Sequence, residues 1–349
     1  MPMSNLVSLA TAVPEHVLLQ RDAAAIAEQV FSERYSDFGR LSRVFETTGI
    51  SKRHSVCPVE WFLQPQGWPE RTDAYLKGAL KLFVTVVRKA LEEAGLDVSE
   101  VDTVITVSST GIATPSLEAR AMGHMGFRPD VQRVPIFGLG CAGGVTGLAV
   151  ASRLAQARPG SNVLLVTIEL CTLAFRRDEL TKANVIATAL FGDGAAACVL
   201  RAGGEGIAAV EAAGEHTWPD TLDIMGWNVD TLGFGVIFAR AIPPFVEENL
   251  AHAVSGILER AGLNREAIDR FICHPGGTKV VAAIERALSI DQGSLVDERA
   301  ILNAYGNMSA PTVLFVLERA IRAGLPHRSL LSSLGPGFTA SCVCLRRAA

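Results

Sequence analysis

The stretch FGLGCAGGVTGLAVASRLAQA, residues 137–157, sets a cysteine among glycines immediately ahead of a strong helical pattern. Gly138, Gly140, Gly143 and Gly144 make a turn of little steric bulk and put Cys141 at or next to the helix N-terminus. There the macrodipole and the free backbone N–H groups stabilise a thiolate. An ordinary thiol, with a pKa of ~8.5, is only slightly ionised at neutral pH, and such a site lowers that value by one to several units. A cysteine taken alone is more often a small buried core residue. Cys198, Cys273, Cys342 and Cys344 fit that role, since they sit in β-like apolar runs with no glycine cradle, and Cys57 lies in a loop that carries no signal.

On either side of this stretch, β-branched apolar runs alternate with amphipathic helical patterns. A helix is expected over 75–95, followed by a buried strand over 101–109. Another strand covers 162–170, and 189–201 reads as hairpin-like. The second half repeats the theme. A helix over 247–263 leads to a strand and loop over 268–277, then come helices over 278–290 and 310–324, and last a glycine-interrupted strand pair over 329–347. Short apolar strands separated by such helices predict an α/β layered fold with mostly buried sheets. Two segments rich in Trp, Pro and Gly, 57–75 and 215–235, read as long irregular loops of the kind that form sites or interfaces.

The chain has 349 residues, 49% of them apolar, which suits an enzyme-sized globular protein with a large aliphatic core. Its net charge of −4 gives no electrostatic reason to expect nucleic acid as a partner. No charge-free apolar run long enough for stable membrane insertion is present, and the N-terminus lacks the basic residues of a secretory signal. The seven cysteines show neither CxxC pairs nor regular spacing with histidine, which argues against a metal site or a disulfide framework. A cytoplasmic setting is expected.

Two further residues join Cys141. His274 lies in FICHPGG, where Pro275, Gly276 and Gly277 end a strand and leave the imidazole at a sheet edge, the place where α/β folds assemble sites. Asn307 lies in AYGNMSAPT, in a turn just ahead of a helix. Singly, each reads as ordinary turn or capping chemistry. Together, a thiolate, an imidazole and an amide suffice for decarboxylative condensation. Cys141 accepts an acyl group as a thioester, and donors on His274 and Asn307 hold the oxygen of a malonyl unit as it loses CO₂ and becomes an enolate.

At this point the sequence resembles the type III polyketide synthases, the chalcone-synthase-like family, over nearly its whole length. GCAGG (140–144), LFGDGAAA (190–197), HPGG (274–277), YGNMSAPT (305–312) and GPGF (335–338) resemble that family's signatures in order and approximate spacing. HPGG with GPGF discriminates against the ketoacyl synthases that initiate fatty-acid synthesis. Leu334, where a thiolase would carry a second catalytic cysteine, weakens that reading.

The resemblance implies a five-layer αβαβα thiolase-like fold made of two pseudo-duplicated halves, 1–205 with the nucleophile and 206–349 with His274 and Asn307. It implies a homodimer that takes acyl-CoA and malonyl-CoA as substrates and needs no separate cofactor. Arg40, Arg43, Lys52 and Arg53 fall where the family places its coenzyme A phosphate-binding cations, with Arg43 and Arg40 ranked first because Thr47 stands where a further Lys is common. Phe191 matches the residue that separates tunnel from cavity, while GFGVIFAR (233–240) offers no clear partner for it. Ser109, Thr114, Cys171 and Ala174 match cavity-lining positions, and all are small, which leaves room for something long. Glu169, Ser109 and Ser309 match positions that influence product cyclisation, and Gly335, Pro336, Gly337 and Phe338 form a further substrate-contacting turn. ELC followed by AF looks like the bacterial long-chain alkylpyrone and alkylresorcinol synthases. The expectation is therefore an iterative condensing enzyme with a fatty acyl-CoA starter. The alternatives are a short-starter or malonyl-primed synthase making a small phenolic or pyrone, a single-condensation ketoacyl synthase, and an inactive homologue serving as a scaffold.

Overall fold

In the computed structural model, which describes residues 2–32, 38–179 and 181–347, NVLLVTIEL forms a strand with every residue buried. A strand can be apolar along its whole length only if both of its faces are covered, and this one sits inside a nine-stranded mixed sheet.

The strands are β1 (Ser4–Ala12), β2 (His16–Leu19), β3 (Lys52–Ser55), β4 (Val101–Val107), β5 (Gln132–Ile136), β6 (Asn162–Leu170), β7 (Asp193–Ala202), β8 (Ala208–Thr217), β9 (Met225–Val229), β10 (Phe234–Phe238), β11 (Arg270–Cys273), β12 (Arg328–Gly335) and β13 (Thr339–Arg347). The helices are α1 (Gln20–Phe31), α2 (Phe38–Leu41), α3 (Arg43–Thr47), α4 (Val59–Phe62), α5 (Trp68–Ala94), α6 (Leu117–Met125), α7 (Gly143–Ala157), α8 (Lys182–Leu190), α9 (Ile242–Arg260), α10 (Thr278–Ala287), α11 (Val296–Tyr305) and α12 (Thr312–Ala323).

The sheet order is β11-β12-β13-β8-β1-β7-β6-β4-β5. Read outward from the centre, β1-β7-β6-β4 and β8-β13-β12-β11 run through the same succession of pairings: antiparallel, antiparallel, parallel. The two runs meet only where Asn5 and Leu6 of β1 pair with Ala209 and Ala208 of β8. Alternation along the strands sorts side chains into layers. Val163 and Leu165 of β6, and Val343 and Leu345 of β13, face a central core shared with α7 and α12. Leu164, Val166 and Ile168 face α5, and Cys342 and Cys344 face α9 and α10. The result is five layers, helix–sheet–helix–sheet–helix, as the resemblance implied.

Three local expectations change. Segment 57–75 is mostly helical, because Pro69 in the first turn and Glu70, whose carboxylate accepts the Gly67 N–H at 2.9 Å, start α5 earlier than its apolar periodicity does. Segment 215–235 contains the end of β8 and most of the β9–β10 hairpin. Segment 189–201 is no hairpin but the end of α8 followed by the single strand β7. Its turn pairs with a distant loop, where Phe191 bridges to Asn307 and the Gly192 N–H donates to the Asn307 carbonyl at 3.0 Å. Among the described residues no helix is long and apolar enough to cross a membrane, and no cluster of ligating side chains could hold a metal ion.

Candidate active site

Cys141 sits in a tight turn, Gly140–Ala142, that runs directly into α7. Ser109, just past β4, holds this loop in place, its hydroxyl oxygen accepting the N–H groups of Gly138 at 3.1 Å and Gly140 at 3.2 Å. A Cβ at Gly144 would lie 2.2 Å from the Ala310 carbonyl oxygen, so glycine is what lets α7 begin against the loop that leads into α12. A Cβ at Gly335 would lie 2.5 Å from the Leu139 carbonyl oxygen, which seats the β12–β13 turn on the same cysteine loop. These two close approaches bring residues far apart in the chain around one sulfur.

The helix N-terminus was expected to lower the Cys141 pKa. Instead, full burial pushes the thiol up to about 11, partly offset by hydrogen bonds with Ser309 and Asn307 and reinforced by the nearby Glu169. Desolvation of the charged form outweighs the helix end in a closed site.

His274 follows β11, its N–H bonded to the Ser332 carbonyl at 2.9 Å. The ring is buried and neither nitrogen has a hydrogen-bond partner among the described residues. Burial lowers its pKa to about 4, so at neutral pH it is an uncharged imidazole with one donor and one acceptor. Asn307 is held by its backbone and by its own amide. Its N–H donates to the Leu190 carbonyl at 2.8 Å, and its Oδ1 accepts the Ser309 N–H at 2.8 Å. With Oδ1 occupied, Nδ2 is the group turned to the site, at 3.3 Å from the Gly276 carbonyl.

Cys141, His274 and Asn307 line one cavity, walled by Phe238, Met225 and Leu334. Cys141 and Asn307 also line a second cavity, with Ser109, Cys171, Ser309 and Pro336. Cys171 and Phe191, which line this second cavity, also line a third, mostly apolar one together with Leu18, Ala23, Ile26, Phe62, Phe175 and Ala187. Ser109, Cys171, Phe191, Ser309 and Pro336 thus lie on cavity walls as expected of cavity-lining positions.

Other expected contacts lie elsewhere. Ala174 is one layer behind the wall, packed with Ala187 and Val236. Glu169 is buried behind Ser109 and Thr110, its Oε2 accepting the Ser109 N–H at 2.9 Å and the Thr110 hydroxyl at 2.8 Å, and burial raises its pKa to about 8. Thr114 is exposed. Gly335 and Gly337 build the turn from which only Pro336 reaches the cavity. Phe338 points away from the cavity into a buried cluster with Trp218 and Phe245, because side chains alternate across the strand that follows.

Arg53 is not a surface cation. It is 1% exposed, and its Nη1 donates to the carbonyls of Thr188 at 2.6 Å and Phe191 at 2.7 Å. On β3 alternate residues face opposite ways, so Lys52 is exposed while Arg53 points inward. Arg40 and Arg43 are exposed and, like Lys52, make no ion pair with a described residue.

Trp227 is a cavity-lining residue that sequence reading missed. It lines the second cavity, lies edge-on to Phe191 at 6.1 Å, and donates Nε1–H to the Ser109 carbonyl at 2.8 Å. The one available signal was the Trp- and Gly-rich character of 215–235. Phe238, the residue of 233–240 that no motif could single out, borders the first and second cavities.

Comparison with known proteins agrees with this geometry. Residues 2–204 match the family model "Chalcone and stilbene synthases, N-terminal domain" and residues 209–348 match its C-terminal counterpart. A putative chalcone synthase of Bacillus subtilis is 35% identical over 97% of this chain and 97% of its own. The 1,3,6,8-tetrahydroxynaphthalene synthase of Streptomyces peucetius is 36% identical over 98% of this chain and 93% of its own. The crystal structure of the tetrahydroxynaphthalene synthase of Streptomyces coelicolor A3(2) superposes with a TM-score of 0.93 at 31% identity, covering 99% of both chains. With its layered fold, its signatures and these relatives in agreement, the chain belongs to the chalcone and stilbene synthase family, the type III polyketide synthases, which are acyltransferases.

Proposed function

We propose that this protein condenses malonyl-CoA iteratively onto a long-chain fatty acyl-CoA starter and releases alkylpyrone or alkylresorcinol-type lipids. In this reading Cys141 attacks the starter thioester while His274 takes its proton and passes it to the departing coenzyme A thiolate. Malonyl-CoA then loses CO₂, and the electron pair of the broken C–C bond moves into an enolate whose oxygen is held by the neutral His274 N–H and by Asn307 Nδ2. The carbanion attacks the Cys141 thioester carbonyl and expels the thiolate, leaving a ketoacyl-CoA two carbons longer. Arg40, Arg43 and Lys52, exposed on α2, α3 and β3, are the cations proposed to receive the coenzyme A phosphates.

The observation that carries the starter assignment is a largely apolar cavity that shares the lining residues Cys171 and Phe191 with the Cys141 cavity, a place for an alkyl tail. The short-starter reading is favoured by relatives named for small aromatic products, tetrahydroxynaphthalene synthase and phloroglucinol synthase. Mass spectrometry of products from malonyl-CoA with starters from acetyl-CoA to palmitoyl-CoA decides between them. Products built from long acyl chains support the proposal, and products from malonyl or acetyl units alone replace it.

The enzyme is further proposed to be a cytoplasmic homodimer. Ile112 and Phe137, 55% and 57% exposed, follow the ends of the neighbouring strands β4 and β5 and present apolar surface that a second copy would cover. Sedimentation equilibrium tests this, and a monomer at micromolar concentration refutes it.

A further inference from the structure

The cavity that holds Cys141, His274 and Asn307 takes part of its wall from two turns. Phe238 and Ile242 line it from one, Gly276 and Val280 from the other. Between Phe238 and Ile242 the chain carries Arg240, between Gly276 and Val280 it carries Lys279, and both basic residues are exposed. Exposure rises outward along each turn. Cys141, His274 and Asn307 are buried, Phe238 and Gly276 are half-buried, and Arg240 and Lys279 meet solvent. The way into the cavity therefore passes between these two turns.

The turns are neighbours in space. Arg240 stands just ahead of α9, and Lys279 lies in the first turn of α10. Ile242 and Val280, near the two helix starts, share the cavity wall, and Glu247 pairs with Arg286 at 2.9 Å further along both helices. That pair also removes Glu247 as a counter-charge for the rim. Among the described residues, neither Arg240 nor Lys279 has an ion-pair partner. Backbone donors are scarce on the α9 side, since Pro243 and Pro244 in its first turn have no N–H. Thr278, beside Lys279, donates its hydroxyl to the Thr48 carbonyl and so ties this rim to the end of α3. That end carries the uncharged Thr47, and the positive charge of the rim comes from Arg240 and Lys279.

The chemistry of acyl donors says what such a rim would hold. Coenzyme A and acyl carrier proteins both present an acyl group on the thiol of a pantetheine arm. The arm is uncharged along its length and ends in a phosphate group. With the thioester at Cys141 and the arm in the passage, that phosphate is the first charge on the way out.

We infer that Arg240 and Lys279 bind the phosphate that ends a pantetheine arm at the mouth of the Cys141 cavity, a contact separate from any that Arg40, Arg43 and Lys52 make to the rest of coenzyme A. The inference rests on the reading that Cys141 is charged from acyl thioesters, and it adds the residues that recognise the donor's arm.

The test offers the full-length enzyme one acyl group on four donors: coenzyme A, an acyl carrier protein, phosphopantetheine and pantetheine. Acylation of Cys141 is followed by intact mass. In the double variant Arg240→Gln/Lys279→Gln, kcat/KM for acylation at low salt should fall roughly tenfold on phosphate-bearing donors and stay close to wild type on pantetheine. The gap should close as salt is raised, because exposed charges are screened. Arg240→Lys with Lys279→Arg keeps both charges and should restore the rate. A loss on the carrier protein alone, or on coenzyme A alone, names the source of the phosphate. An equal loss on pantetheine makes the two residues structural, and no loss on any donor leaves the rim without a ligand; either result overturns the inference. If wild-type Cys141 accepts the acyl group from none of the four, the acyl-transfer reading fails and the rim assignment falls with it.

Discussion

Arg53 Nη1 donates to the carbonyl oxygen of Phe191 at 2.7 Å, and Phe191 in turn pairs through a backbone bridge with Asn307. A buried guanidinium on β3 therefore fixes both a wall of the cavity and the loop that presents the active-site amide. Arg53→Lys keeps the charge but loses the two-pronged donor. Carbon dioxide release from malonyl-CoA should fall by roughly tenfold or more through misplacement of Asn307, while acylation of Cys141, to which that amide contributes only a hydrogen bond to the thiol, should fall by less. Parallel loss of both activities in proportion to folded protein would mean that Arg53 is structural only.

Cys141 should carry the acyl group alone. Intact-mass analysis after incubation with an acyl-CoA should show one adduct, absent in Cys141→Ala; an adduct that persists there defeats the assignment. Because burial raises the thiol to about 11, alkylation by iodoacetamide should keep accelerating as pH rises through and beyond the ordinary thiol range. A plateau near neutral pH would instead indicate a preformed thiolate.

His274→Ala and Asn307→Ala should each slow malonyl decarboxylation by ~10²–10³ while leaving circular dichroism unchanged. Carbon dioxide release within a few-fold of wild type in both variants would reduce them to turn residues.

Glu169 offers a pH test with a definite sign. Its pKa is raised from 4.5 to about 8, so the folded protein holds a proton that the unfolded chain releases. Stability from this group is complete below pH 4.5 and is lost progressively as pH rises through about 8. Glu169→Gln removes the ionisation and keeps an acceptor for the Ser109 N–H. Denaturant titrations should show the variant gaining on wild type with rising pH, by a few kcal/mol, at roughly 1.4 kcal/mol per pH unit between the two values. A constant difference across that range would show that Glu169 is ionised in the folded state.

Filling the apolar cavity should shorten the preferred starter. Ala187→Phe and Cys171→Phe place a ring where an alkyl tail would lie, and each displaced methylene is worth about 0.8 kcal/mol. Lauroyl and longer starters should lose most of their kcat/KM, with acetyl and butyryl turnover nearly unchanged. Equal losses at every length would place the tail elsewhere.

Much of this protein was determined by sequence alone. Periodicity marked β6 and α12 closely, because a strand covered on both faces and a helix with one apolar stripe each impose a local pattern. Cys141, His274 and Asn307 were legible because glycine and proline around them announce turns at element ends, and their order matched a family. What only the tertiary structure decided lies where one property depends on distant neighbours. Lys52 and Arg53 are adjacent basic residues, yet the pleat sends one to solvent and the other beneath Phe191. The Cys141 thiol is raised rather than lowered, because burial depends on α12 and the β12–β13 turn closing over it, which the residues beside it do not encode. Trp227 reaches the cavity through the β9–β10 pairing and a bond to Ser109, more than a hundred residues away in the chain. Local pattern specifies elements; which side chains face a common cavity is set by how those elements pack.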